Sequence, residues 1–268
     1  MKKAKLRAPF EGLILAFQFF TTLPIRREIS MNEHTIPWMI GSMPIVGAAV
    51  GGATIALVHA AATVFDASAL ITSFVIWISF ICWTGGLHLD GWTDVSDAYF
   101  SYQSMEKRHE ILKDPRVGAF GVLSLVVLLV AKAVFLVDVT HRFGVEAVWL
   151  IWIPVLSRLM MALFLVRLPL ARKDGLAYFL RQSLKQKHVI LPLLTALFLL
   201  FLPFIFMHGD WMLLVLLAGG WFIFLIVFIR FAQKEFGGIT GDLLGACLEG
   251  GELWSWIVVW CYLSIVMV

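Results

Sequence analysis

The chain has 268 residues, 60% of them apolar and only 15% charged, with a mean hydropathy of +0.90 and a formal net charge of +3. A soluble globular domain of this composition would lack the polar surface to face water, and a β-barrel would alternate apolar and polar residues instead of running apolar for about twenty at a time. The sequence therefore reads as all-α: a polytopic membrane helical bundle, a single integral-membrane unit over residues 1–268. Membrane orientation accounts for the excess of basic residues, so no nucleic-acid partner is expected. Cys82, Cys247 and Cys261 are scattered without metal-ligand or disulfide spacing.

Lys2, Lys3, Lys5 and Arg7 precede an apolar stretch, as in a secretory signal, but Glu11 interrupts it and Pro24, Arg26 and Arg27 close it with no small-residue cleavage site. Phe10 to Leu23 is therefore expected to be an interfacial or re-entrant helix. Hydropathy then places about seven transmembrane helices: Trp38 to Ala61, Leu70 to Gly86, Val117 to Val137, Val145 to Val166, Val189 to Met207, Trp211 to Ile229 and Leu253 to Val268. Of the 21 Lys and Arg, only Arg142 falls in an even-numbered connection, and Lys132 and Arg158 lie inside spans. By the positive-inside rule the N-terminus is in and the C-terminus out.

The second span ends in GGLHLDGWTDVSDAYF, Gly85 to Phe100, which sets Asp90, Asp94 and Asp97 just beyond an almost uncharged run. On a helix, Asp94 lies roughly 40° from Asp90 and Asp97 roughly 20° to the other side, so all three share one face. Clustered carboxylates repel increasingly as water is excluded, and a hard divalent cation such as Mg²⁺, bridging to a substrate phosphate, would relieve them. His88 lies roughly 160° from Asp90, facing away on an ideal helix.

The next loop, from Ser101, carries SMEKRHEILKD, suited to an exposed interfacial helix, and then Asp114 and Arg116, either an ion pair or site residues. Lys132 and Arg158 sit where a charge costs about 2.5 to 3.5 kcal/mol, so each should face the bundle interior and a partner. In FGGITGDLLGACLEGGE, Phe236 to Glu252, the glycines allow close backbone approach and Thr240 with Asp242 suits a helix cap. Glu249 falls roughly 20° from Asp242, and Glu252 roughly 80°. The basic loop Arg167 to Lys187 emerges on the same expected face and would guide an anionic ligand by charge.

Two function classes fit: a metal-dependent membrane transferase acting on a phosphorylated substrate, and an ion or metabolite transporter. Acids at the membrane edge rather than the midplane favour the transferase.

The motifs FFTTLP (Phe19 to Pro24), MPIVG (Met43 to Gly47), GGLHLDGWTDVSDAYFS (Gly85 to Ser101), KDPRVGAFG (Lys113 to Gly121), the Ser157–Arg158 pair and GGITGDLLGACLEGGE (Gly237 to Glu252) closely resemble the cobalamin synthase family, the adenosylcobinamide-GDP ribazoletransferases. The resemblance implies that the 3′-hydroxyl of α-ribazole, or of its 5′-phosphate, attacks the cobinamide-side phosphorus of adenosylcobinamide-GDP, with Mg²⁺ required and GMP released. It implies a place in the bacterial cytoplasmic (inner) membrane, the active site facing the cytoplasm. The lipid bilayer is then a partner, and a homo-oligomer is compatible. Carried over by position, Asp90, Asp94, Asp97 and Asp242 would hold metal. Asp94, Asp97, Arg116 and Arg158 would act in catalysis, the arginines against phosphate charge. His88, Asp114, Gly238, Thr240, Glu249 and Glu252 would contact substrate. Family members commonly have Gly where this chain has Ala98, which favours continuation of the helix. The DGxxDxxD string also resembles part of the CDP-alcohol phosphotransferase signature, without its AR dipeptide.

Overall fold

In hydrocarbon, every backbone N–H and C=O must find its partner inside its own segment, so the apolar runs become helices. A computed structural model describes residues 2–206 and 210–266 and contains, among them, twelve α-helices and no β-strand. In chain order these are α1 (Lys2–Phe20), α2 (Ile36–Gly41), α3 (Met43–Phe65), α4 (Ala69–Thr84), α5 (Leu87–Phe100), α6 (Met105–Ile111), α7 (Ala119–Phe143), α8 (Ala147–Arg167), α9 (Gly175–Gln182), α10 (Ile190–Phe206), α11 (Trp211–Phe236) and α12 (Gly241–Val266), with a 3₁₀ turn at Gln186–Val189 before α10. Met207 and Val268, expected as span ends, lie outside the described residues.

Five helices, α3, α7, α8, α10 with its leading turn, and α11, are long and apolar enough to cross a membrane, and the bent pair α4–α5 would make a sixth. The expected last span is the second half of α12, one continuous helix that acids and tryptophans keep out of that set. The expected Phe10 to Leu23 helix starts earlier, as α1.

α8 is mostly buried, whereas α7 and α11 turn most of their length outward. α3 packs on α8 at backbone distance: a Cβ on Gly47 or Gly51 would collide with the carbonyls of Pro154 and Leu150. Inside the bundle, charged groups from three helices meet. Lys132 Nζ on α7 donates to Glu249 Oε2 at 2.5 Å and Glu252 Oε2 at 3.1 Å on α12. Arg158 Nη1 on α8 donates to Glu252 Oε1 at 2.6 Å, and the Ser157 hydroxyl to the same oxygen at 3.3 Å. Two cations facing two carboxylates leave no formal net charge in this network, which is how it is tolerated at depth.

Four segments distant in sequence are tied together at one end of the bundle. Arg108 of α6 pairs with Glu235 at the end of α11, at 2.5 Å. Lys113 pairs with Asp174 at 2.6 Å, and Leu170 forms an isolated parallel bridge with Ile239. The acidic stretch joins them because α4 and α5 meet at 88° over Gly85 and Gly86, whose φ values of 63° and 76° need glycine. Beyond the corner, α5 turns aside from the line of α4. It runs laterally from the start of α12 to the start of α7, where Trp92 Nε1 donates to the Ser124 carbonyl at 3.3 Å and the Ser124 hydroxyl to Ser96 Oγ at 2.7 Å. The helix continues through buried Ala98 to Phe100, as the missing glycine implied.

Lys132→Met should lower the unfolding free energy by about 3 to 5 kcal/mol, because Glu249 loses its cation while buried. Adding Glu249→Gln should recover much of that loss. Thermal unfolding in detergent checks both, and a double variant no better than the single one would show that the pair is not coupled.

Candidate active site

α5 and α12 cross with almost nothing between them. A Cβ on Gly91 would meet the Asp242 carbonyl oxygen at 2.6 Å, and one on Gly245 would meet the His88 carbonyl oxygen at 3.0 Å. Two side chains of zero size therefore bring the acids of α5 against the first turn of α12. Thr240 prepares that turn as the sequence suggested: its hydroxyl accepts from Leu243 N at 3.2 Å and donates to Asp242 Oδ2 at 3.2 Å.

Beside this crossing lies a cavity of about 180 Å³, lined by His88, Asp90, Arg172 and Asp242 among apolar side chains of α1, α8 and α9. Asp94 is half-buried one turn further along α5. Burial first, then the negative charge of Asp90, Asp242 and Asp97, pushes its carboxyl up to about 6. Asp242 is also raised, by burial, with Arg172 opposing. Of the expected face of Asp90, Asp94 and Asp97, Asp90 lines the cavity, together with Asp242 of α12.

Asp97 faces a different task. Both its oxygens accept backbone N–H groups at the start of α7, from Gly118 and Gly121, each at 3.1 Å. A Cβ on Gly118 would fall on that carboxylate, so the glycine and the acid form one cap. His88, expected to face away from Asp90, lines the same cavity, buried and stacked on Phe20 at 6.2 Å, with Nε2 unpartnered.

The remaining expected site residues lie elsewhere. Arg116 is exposed and forked onto Asp114, through Nε to Oδ1 at 2.9 Å and Nη2 to Oδ2 at 2.6 Å. These bonds hold the Asp114 carboxyl down at about 2. Arg158, Glu249 and Glu252 neutralise one another and Lys132 inside the bundle, around a separate cavity of about 30 Å³. Gly238, with φ of 152°, is where a Cβ would meet the Pro169 carbonyl oxygen at 2.6 Å, so it makes room for the neighbouring loop. The sequence reading missed Arg172, whose signal was weak: one basic residue among several in a loop that orientation already explained.

The donors fit a hard cation. They are all oxygens, they crowd negative charge, and Mg²⁺ takes one or two protein carboxylates with water and substrate phosphate completing its shell. Among the described residues, no three acidic, His or Cys side chains converge as they stand, so the protein alone offers less than a full set of ligands.

The cobalamin-5-phosphate synthase family profile matches residues 12–260. The chain belongs to this family. It is 38% identical over 264 residues to an adenosylcobinamide-GDP ribazoletransferase of Geobacillus thermodenitrificans, covering 98% of this chain and 100% of the relative. A protein of the same name from Treponema denticola is 31% identical over 253 residues, covering 91% and 95%. No solved structure matches. Within the cobalamin-5-phosphate synthase frame, the crossing of α5 and α12 is where the two most distinctive motifs of the chain, HLDG and TGDLLGA, touch.

In metal-free buffer at pH 8, Asp94→Asn should raise the melting temperature, because it removes an ionised carboxylate from a buried, negative site. The gain should begin to shrink as pH falls through about 6, where Asp94 takes up a proton in the folded protein, and be lost only near the ordinary carboxylate value of 3.8, where the unfolded chain takes one up too. Melting curves of both proteins from about pH 8 down to about pH 4, spanning both values, check the sign.

Proposed function

We propose that the protein transfers the adenosylcobinamide-phosphate moiety of adenosylcobinamide-GDP to the 3′-hydroxyl of α-ribazole, or of its 5′-phosphate, releasing GMP in the last step of nucleotide-loop assembly. Family membership supplies the reaction class. The observation that carries the assignment to this site is the cavity in which Asp90 and Asp242, from two helices, stand opposite Arg172.

The reaction makes one O–P bond, from the ribazole oxygen to the cobinamide-side phosphorus, and breaks the bond from that phosphorus to the oxygen that leaves with GMP. The hydroxyl proton needs an acceptor, and Asp94 would serve: it is half-buried, raised toward neutrality, and free of the backbone bonds that occupy Asp97. Asp90 and Asp242 would hold Mg²⁺, which when bound supplies charge neutralisation at the phosphates. Asp97 fixes the angle between α5 and α7, keeping the acids aimed at α12. The apolar walls contributed by Phe19, Phe20 and Met161 exclude water that would otherwise compete with the ribazole hydroxyl.

The concentration of Lys and Arg in odd-numbered connections supports a multi-pass protein of the bacterial inner membrane with this end in the cytoplasm, where a nucleotide-linked substrate is found. A transporter finds less support, because the intramembrane charges are paired with one another.

Purified protein in lipid should release GMP from adenosylcobinamide-GDP only when α-ribazole or its 5′-phosphate and a divalent cation are present. Asp94→Asn should lower the rate by about 10²- to 10⁴-fold, the usual worth of a positioned acid–base group. Absence of GMP release from the wild-type protein would refute the assignment. Full activity in chelator would refute the metal.

A further inference from the structure

We propose that Arg172 is the side chain that grips the diphosphate oxygens of the nucleotide-bearing substrate, with Asp174 and Lys113 holding it in position. The inference rests on the transferase assignment above.

Arg172 sits in the connection between α8 and α9, where a chain passing over a bundle end would ordinarily be loosely placed. Here the backbone is fixed. Ile239 N donates to the Pro169 carbonyl at 3.0 Å and Ala171 N to the Ile239 carbonyl at 3.0 Å, locking the loop onto the residues that lead into Asp242. Gly238 permits this by leaving no Cβ in the way.

The guanidinium is held along one edge and left unsatisfied on the other. Its Nε pairs with Asp174 Oδ1 at 3.1 Å, and Asp174 is itself held by Lys113 Nζ at 2.6 Å. Nη2 lies 3.5 Å from Asp242 Oδ2, a long contact for an ion pair. Nη1 is buried and has no acceptor. A buried guanidinium N–H without a partner is costly, and a ligand that supplies two oxygens across the Nη edge removes the cost. The cavity that Arg172 lines holds two carboxylates, so the missing acceptor belongs to a ligand that carries its own negative oxygens and binds opposite Asp90 and Asp242.

Arg116 is forked onto Asp114, Arg108 bonds through Nη1 to the carboxylate and carbonyl of Glu235, and Arg181 donates to the Leu165 carbonyl at 2.7 Å. Arg108 and Arg158 each keep a buried Nε without a partner, but neither lines the cavity beside α5, whereas Arg172 does. A diphosphate entering that cavity therefore meets Arg172. The loop position also explains how the phosphate end of the substrate is sensed from outside the membrane core while the acids wait on α5 and α12.

Two measurements test this, one of them independent of turnover. Equilibrium binding of GDP, used as the probe for the nucleotide diphosphate end, should weaken roughly 10- to 100-fold in Arg172→Gln, the worth of hydrogen bonds to a charged group. In the GMP-release assay the same variant should raise KM for adenosylcobinamide-GDP and leave KM for α-ribazole unchanged. Asp174→Asn should shift the same KM in the same direction by less, with an unchanged melting temperature. Equal GDP binding by wild type and Arg172→Gln, or no GDP binding by the wild type, would overturn the inference. So would a rise in both KM values together with a lower melting temperature, the mark of a merely structural role. A wild-type protein that binds GDP through Arg172 yet releases no GMP would instead overturn the transferase assignment alone.

Discussion

Everything at this site depends on how closely two helices approach. A carboxylate on α5 can share a ligand with one on α12 only if the backbones nearly touch, and Gly91 against Asp242 and Gly245 against His88 provide that contact. Like charges oppose the approach. The Thr240 cap, the Arg172 loop and the clamp of Asp97 on α7 hold the helices against this repulsion. In this view much of the surrounding structure is scaffolding for a repulsive arrangement, which becomes favourable only when something positive is shared between the acids.

The buried network of Lys132, Arg158, Glu249 and Glu252 solves the opposite problem. Its charges are complementary and both carboxylates are bonded to cations, so it welds α7, α8 and α12 without needing a ligand, with only Arg158 Nε left unpartnered. The same α12 thus carries, a few turns apart, an acid left open to chemistry and two acids closed by pairing. His88 lies between these regions, close enough to Arg158 and Glu252 to feel both, and its ring is held neutral, pushed down to about 3 mainly by burial.

Much of this was legible in the sequence because it follows from short-range spacing. The common face of Asp90 and Asp94, the Thr240 cap and the continuation of α5 through Ala98 all follow from helical periodicity within one element. The need of Lys132 and Arg158 for partners was also readable, since burial of a charge demands them, but not the partners themselves, which lie 117 and 94 positions away. Asp97 was indistinguishable from its neighbours because its role as a cap depends on where α7 begins in space. Arg172 was hidden for a similar reason: a loop residue acquires meaning from the strand-like bridge that places it, and a single bridge has no periodic pattern to reveal it. Hydropathy alone is a weak guide where one helix is short and another carries acids, so length and composition mark five or six of the described helices or pairs as spans where about seven were expected.

The corner at Gly85–Gly86 also sets a depth. α4 has 16 residues, and such a helix rises about 24 Å, less than the roughly 30 Å of hydrocarbon in an average bilayer. Were α4 to cross alone, the lipid would have to thin or water dip inward to meet the turn, setting α5 and its acids in a dimple rather than on a raised surface. Bilayer thickness would then be a variable of the site itself: thicker lipid would deepen the dimple, and thinner lipid flatten it.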